Sequence, residues 1–184
     1  MLKLPISKIE LRLTHLIARD WSNATLDNFM ITVSNPYRWM IPTLAFAMTL
    51  IYLDWKSGVI ALLLGSVSAS VADGINSRII KRNTDRVRPG KQFPDIRSLG
   101  TMNTGKGSFP SNHASNTMAF ALAFSFMFPW AGWILIPLSI LVGYSRVYCG
   151  AHFPLDVLAG WFIGSGWSLI LFNIFNLLSQ AGHA

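Results

Sequence analysis

NHASNTMAFALAFSFMFPWAGWILIPLSILVGY, residues 112–144, decides the fold class. It lies within a longer stretch, residues 107–144, that holds no Asp, Glu, Lys or Arg, and residues 157–184 form a second such stretch. Soluble domains carry roughly 25% charged residues, whereas here 12% are charged and 52% hydrophobic among 184 residues. The mean hydropathy of +0.42 agrees. Uncharged runs of this length belong in hydrocarbon, where a helix of about 20 apolar residues satisfies its own backbone across the bilayer. A soluble globule is thereby excluded.

Working outward, Pro129 and Trp130 with Gly132 divide the long run into helices over 112–128 and 131–148, and another follows over 154–178. Upstream, 37–53 and 57–79 are further candidates, separated by Asp54, Trp55 and Lys56. The expected fold is all-α: a polytopic membrane helix bundle of about five transmembrane helices preceded by an interfacial amphipathic helix. Residues 1–36 make the interfacial segment, because Lys3, Lys8, Glu10, Arg12, Arg19 and Asp20 interleave with Leu and Ile, and residues 37–184 make the transmembrane domain. Gly65, Gly160, Gly164 and Gly166 read as helix-packing positions, with Gly160 and Gly164 a small-xxx-small pair. Trp39, Trp55, Trp130, Trp133 and Tyr148 suit an interfacial aromatic belt. The lone Cys149 can form no internal disulfide.

The formal charge of +7 permits anionic lipid or phosphate as partner. No nucleic acid is expected, because the bases sit beside apolar spans rather than on a separate soluble face. Five crossings bring the N-terminus, the 80–111 segment and the 149–153 turn to one side. Between Arg78 and Ser111 stand Arg78, Lys81, Arg82, Arg86, Arg88, Lys91, Arg97 and Lys106, against Asp85 and Asp95. Charge alone does not choose between a loop obeying the positive-inside bias and an anion-binding cluster.

Three segments on that side concentrate groups that are expensive near a membrane: residues 81–89, 109–113 and 145–156. A phosphoryl group spreads its charge over several oxygens, so a site that transfers one needs several cationic donors plus hydroxyl or backbone donors. Lys81, Arg88, Arg146 and Ser111 supply that set. His113, just after Ser111, can give a proton to a departing oxygen. His152 and Asp156 stand four apart, so on a helical turn the carboxylate can hold the Nδ1 proton and leave Nε2 free to attack phosphorus. Each residue alone has a plainer reading: a satisfied polar histidine, a helix-capping Asp156, an Arg146 that snorkels to headgroups. Their occurrence together favours the chemical one.

These segments resemble the type 2 phosphatidic acid phosphatases, membrane lipid phosphatases that share a site with vanadium haloperoxidases and bacterial acid phosphatases. Lys81, Arg88 and Pro89 match the family's first motif. Pro110, Ser111 and His113 match the second, with Asn112 where Gly is usual, and Ser145, Arg146, His152 and Asp156 match the third. The resemblance implies His152 as nucleophile forming a phosphohistidine, Asp156 orienting it, and His113 as general acid. It also implies that Lys81, Arg88, Ser111 and Arg146 bind the phosphoryl oxygens, with the backbone N–H of Asn112 available beside them and with no metal or cofactor.

The expected activity is hydrolysis of a lipid phosphomonoester or pyrophosphate. Phosphatidate, phosphatidylglycerol phosphate, undecaprenyl pyrophosphate and lipid A phosphate are all candidates, and the 90–107 loop, with Lys91, Arg97 and Lys106, is the expected headgroup selector. Alternatives are a lipid phosphotransferase using the same site, a phosphatase for soluble esters, a haloperoxidase, and a non-enzymatic module that binds anionic lipid. The expected location is the bacterial inner (cytoplasmic) membrane, multi-pass. The basic side favours cytoplasm by the positive-inside bias, but the resemblance implies periplasm or cell exterior, and cations that bind substrate do not report orientation. The sequence leaves the oligomeric state open.

Overall fold

A computed structural model describes residues 2–100 and 107–182. Five long helices occupy the five expected segments: α3 (Pro36–Leu53), α4 (Trp55–Ile75), α7 (Asn112–Met127), α8 (Pro129–Tyr148) and α9 (Pro154–Ala181). The signals at their ends are local. Asn35 caps α3 ahead of Pro36, and Asp54 ends α3 and caps α4 by accepting from the Ser57 N–H at 3.2 Å and hydroxyl at 2.7 Å. Pro129 and Pro154 open α8 and α9, where a missing N–H costs nothing. Beyond Ile75 the helix widens into one π turn, Asn76–Ile80, and then a short α5, Lys81–Asn83.

Helix α7 is the centre, packed against α4, α8 and α9. Its small buried face, including Ala114, Ala119, Ala121 and Ala123, lets those neighbours approach closely. Gly160 and Gly164 seat α9 on it: an added Cβ would stand 2.5 Å from the Ser111 carbonyl oxygen and 2.1 Å from that of Ser115. Gly65 packs on Phe120 in the same way, but Gly166, expected to pack, faces open space with nothing within 4 Å. Outward faces are apolar, as with Ile41 and Met48 on α3, Leu63 on α4 and Phe162 and Leu177 on α9. This is the surface of a multi-pass membrane protein.

Among the described residues three helical stretches, Trp55–Asn83, Pro129–Tyr148 and Pro154–Ala181, are long and apolar enough to cross a membrane by length and composition. Helices α3, with 18 residues, and α7, with 16, stand outside that set.

The segment read as one interfacial helix divides into α1 (Lys8–His15), which runs on as a π turn to Asp20, and α2 (Ala24–Ser34). Ahead of them β1 (Leu2–Lys3) pairs in parallel with β2 (Thr84–Asp85), so the N-terminus is tied to the basic segment. A short α6, Pro89–Gln92, follows β2. In the aromatic belt Trp55, Trp130 and Trp133 are exposed, but Tyr148 is fully buried. Its hydroxyl donates to Asp27 Oδ1 at 2.9 Å and accepts from the Asn23 N–H at 3.1 Å, so it fastens α2 to α8.

Candidate functional site

The three motif segments meet at one end of the bundle, each delivered by a helix end. Arg88 precedes α6, Ser111 precedes α7, Arg146 lies in the last turn of α8, and His152 sits in the turn before α9. Backbone bonds sew the segments together: the Ser108 N–H donates to the Arg86 carbonyl at 2.8 Å, and the Ser111 N–H donates to the Asp156 carbonyl at 2.9 Å. Gly90 donates to Gly150 O at 2.9 Å, where Gly150 adopts φ +68°, a value that favours glycine.

His152 is buried, and its Nδ1 lies 2.7 Å from the Ser108 carbonyl oxygen. The nearest Asp156 oxygen is 3.7 Å from the same nitrogen. The expected direct Asp156 hold on Nδ1 is thus shared: the Ser108 carbonyl accepts the proton and the carboxylate acts electrostatically at longer range. Asp156 Oδ2 instead accepts from the Phe153 N–H at 2.8 Å, and Oδ1 accepts from Arg86. With Nδ1 protonated, Nε2 carries its lone pair toward Arg88 Nη1, 3.3 Å away. Burial pushes the His152 imidazole down to about 4, with Asp156 pulling upward and Arg146 and Arg88 adding to the fall. The ring is therefore neutral at ordinary pH, the form in which Nε2 is a nucleophile.

Cations surround it. Arg88, buried, donates to the Ala151 carbonyl at 3.1 Å, and Arg146, also buried, donates to the Ser34 hydroxyl. Arg88 Nε, Arg146 Nε and Arg146 Nη2 are buried donors without protein partners, and donors of this kind suit an anion with several oxygens. Lys81 lies within electrostatic reach of Arg88, Arg146 and Asp156. His113 is within reach of Arg146, His152, Lys81 and Arg88. Ser111, fully buried, caps α7, whose first-turn N–H groups point toward this end. Among the described residues no group of three or more His, Cys, Asp or Glu side chains is placed to hold a metal ion.

The Asn112 side chain turns away: its Nδ2 donates to Asp73 Oδ1 at 2.7 Å and to Ser77 Oγ at 2.8 Å, and its backbone N–H, the group expected to serve an anion, stands in the first turn of α7. One expectation changes. In the proposed headgroup loop Arg97 is held by both Asp27 oxygens at 2.8 Å, because α2 presents that carboxylate to it. Lys91 is exposed, and Lys106 lies outside the described residues. Sequence reading also missed Ser34, Ser108, Glu10 and the role of Arg86. None of these stands at a motif spacing, and Glu10 and Ser34 come from the segment taken as interfacial.

Beside the cationic cluster an apolar cavity of about 580 Å³ runs between α3, α7 and α8, lined by Trp39, Leu44, Phe120, Phe124 and Leu138 among others. His113 and Ser34 belong to its wall as well as to the cationic end.

The chain is similar in sequence and fold to known proteins. An undecaprenyl-diphosphatase of Sulfolobus acidocaldarius is 33% identical over 82% of this chain and 71% of its own length. A lipid A 4'-phosphatase of Porphyromonas gingivalis is 31% identical over 76% of this chain and 61% of its own. A lipid A 1-phosphatase of Rhizobium johnstonii is 34% identical over 57% of this chain, which spans 44% of that relative. The crystal structure of Aquifex aeolicus LpxE superposes with a TM-score of 0.66 at 25% identity, covering 94% of this chain and 99% of that one. A PAP2-type phosphatidylglycerolphosphate phosphatase of Bacillus subtilis shares the fold with a TM-score of 0.64 at 22% identity, over 91% of this chain and 84% of its own. The PAP2 superfamily model matches residues 58–179, a span that contains all three motifs, and the chain belongs to that superfamily.

Proposed function

We propose that the protein is an integral membrane lipid phosphatase that hydrolyses a terminal phosphoryl group from a lipid phosphomonoester or pyrophosphate, without a metal. The observation that carries this reading is the shared wall: His113 and Ser34 line a hydrocarbon-like cavity and also border the buried cations. A soluble ester would need only the second. A substrate with a tail uses both, its apolar part in the cavity and its phosphate among Lys81, Arg88, Arg146 and the first N–H groups of α7.

In the first displacement His152 Nε2 attacks phosphorus, the bond from phosphorus to the leaving oxygen breaks, and His113 gives that oxygen a proton. His113 then takes a proton from water, the resulting hydroxide attacks phosphorus, the P–N bond breaks, and phosphate leaves with His152 restored. The cations stabilise the charge gathered on the equatorial oxygens in both steps. We infer five membrane crossings, with α7 sheltered at the centre, and a site open to the periplasm or cell exterior.

Purified protein in vesicles should release phosphate from undecaprenyl pyrophosphate, the substrate named for a relative that covers most of the chain, or from lipid A, phosphatidylglycerol phosphate or phosphatidate. Equal kcat/KM for a water-soluble phosphate ester would overturn the lipid reading. Sidedness is read with Lys91→Cys, since Lys91 is exposed and native Cys149 is buried. Labelling of intact cells by an impermeant thiol reagent is expected, and labelling only after permeabilisation would reverse the orientation.

A further inference from the structure

Helix α1 is inverted relative to an amphipathic helix of a soluble protein. Its apolar Ile9 and Leu13 are 72% and 42% exposed, while Glu10 and Thr14, one turn apart, are 3% and 0% exposed. Glu10 and Thr14 face the bundle, while Ile9 and Leu13 face outward beside the exposed Lys8 and Arg12, a mixture that an interface with lipid headgroups would receive. A carboxylate buried in this way must be paired and hydrogen-bonded, or it costs several kcal/mol.

Glu10 is paired on both oxygens. Oε2 accepts from Arg86 Nη2 at 2.6 Å, and Oε1 accepts from the Leu155 N–H at 3.2 Å, in the first turn of α9. The other end of the Arg86 fork goes to Asp156, and the guanidinium lies over the Phe153 ring, 4.6 Å from its centroid. Arg86 reaches His152 by two routes. Its side chain holds Asp156, 3.7 Å from Nδ1, and its carbonyl accepts from Ser108, whose own carbonyl lies 2.7 Å from Nδ1. One rigid planar fork thus joins a carboxylate of α1 to the carboxylate behind the imidazole.

We propose that Glu10 is a positioning residue for His152, acting through Arg86 and Asp156. This rests on His152 being the nucleophile of the proposed phosphatase. Two carboxylates sharing one guanidinium leave a net negative charge behind the ring. When Nε2 bonds to phosphorus with Nδ1 still protonated, the ring becomes cationic, and that charge is balanced by the cluster. Without the Glu10 charge, Arg86 neutralises Asp156 and the cationic ring loses its counter-charge.

The test is Glu10→Gln in the full-length protein in vesicles, with kcat, KM and the pH profile of lipid phosphate release compared with wild type. The groups acting on His152 are Asp156, Arg146, Arg88 and His113, and all are kept in this variant. We expect kcat to fall about tenfold, the ratio matching a one-unit perturbation of the ring, with KM within about twofold. The acid limb of kcat/KM should move to lower pH, because a ring stripped of nearby negative charge is harder to protonate. Glu10→Asp, which keeps the charge but withdraws it by one methylene, should hold the acid limb near its wild-type position even where expression of the glutamine variant is poor. An unchanged kcat and acid limb in Glu10→Gln, or an acid limb displaced equally in both variants, would overturn the positioning role alone. A wild-type protein that releases phosphate from no lipid would overturn the phosphatase reading, and the positioning role with it.

Discussion

Arg86 and Arg97 stand eleven positions apart in one basic segment, and composition treats them alike. Arg86 is 4% exposed and bridges Glu10 and Asp156 beneath His152. Arg97, its side chain 41% exposed, grips Asp27 at the surface with good bidentate geometry. The difference teaches that a bond count is a poor guide to what a pair does. In water the Arg97 pair exchanges one set of partners for another at little gain. The Arg86 fork is the guanidinium that both buried carboxylates share, so removing it takes the direct ion pair from each of them at once. A count of eight bases along the segment therefore mixes groups that organise a site with groups that fasten a loop.

The largest effect belongs at the bottom of the buried region. His152→Ala, and Asp156→Asn beside it, should cut lipid phosphate release by about 10³-fold or more while the protein still inserts, because groups that act as a unit fail together. Turnover retained in either would break the link between the buried ion pairs and catalysis. Next, Arg86→Ala should lower stability by about 3–5 kcal/mol, against about 0–1 kcal/mol for Arg97→Ala, both read from thermal unfolding in detergent. Equal losses would erase the contrast.

Two glycines sharpen the same contrast without charge. Gly164→Ala drives a methyl against the Ser115 carbonyl, 2.1 Å from where its Cβ must lie, and should cost about 1–3 kcal/mol. Gly166→Ala meets nothing and should be neutral or slightly stabilising, since alanine is the better helix former. The smallest effect is expected from pH. His152 is held down to about 4, so lowering the pH from about 7 to about 5 should leave its contribution to kcat/KM unchanged, with the fall coming only through its own titration. An acid limb near 6.5, the ordinary imidazole value, would mean that the ring is wetter than its burial indicates.

Much of this was legible along the chain because the signals are local or repeated. Uncharged runs and the prolines at 129 and 154 marked the helices to within a few residues, and the spacing of His152 and Asp156 marked one side of the site. Tyr148 was misread because an aromatic at a span end looks the same whether it meets headgroups or, as here, finds Asp27 on another helix. The side-chain partner of Asn112 was not legible for a similar reason: only the fold brings Asp73 of α4 to its amide.

By itself the sequence determined that the chain lives in a bilayer and that its candidate site residues come as three motifs, since hydropathy and short spacings are properties of contiguous residues. Only the tertiary structure decided that Glu10 and Ser34 from the first two helices join those motifs, that the Ser108 carbonyl rather than Asp156 alone holds the imidazole, and that an apolar cavity opens beside the cations. Those facts depend on which buried donors and acceptors face one another across sequence separations of 44 to 145. In a low-dielectric interior each such group must find a partner wherever the fold brings one, and chain order does not say where that is.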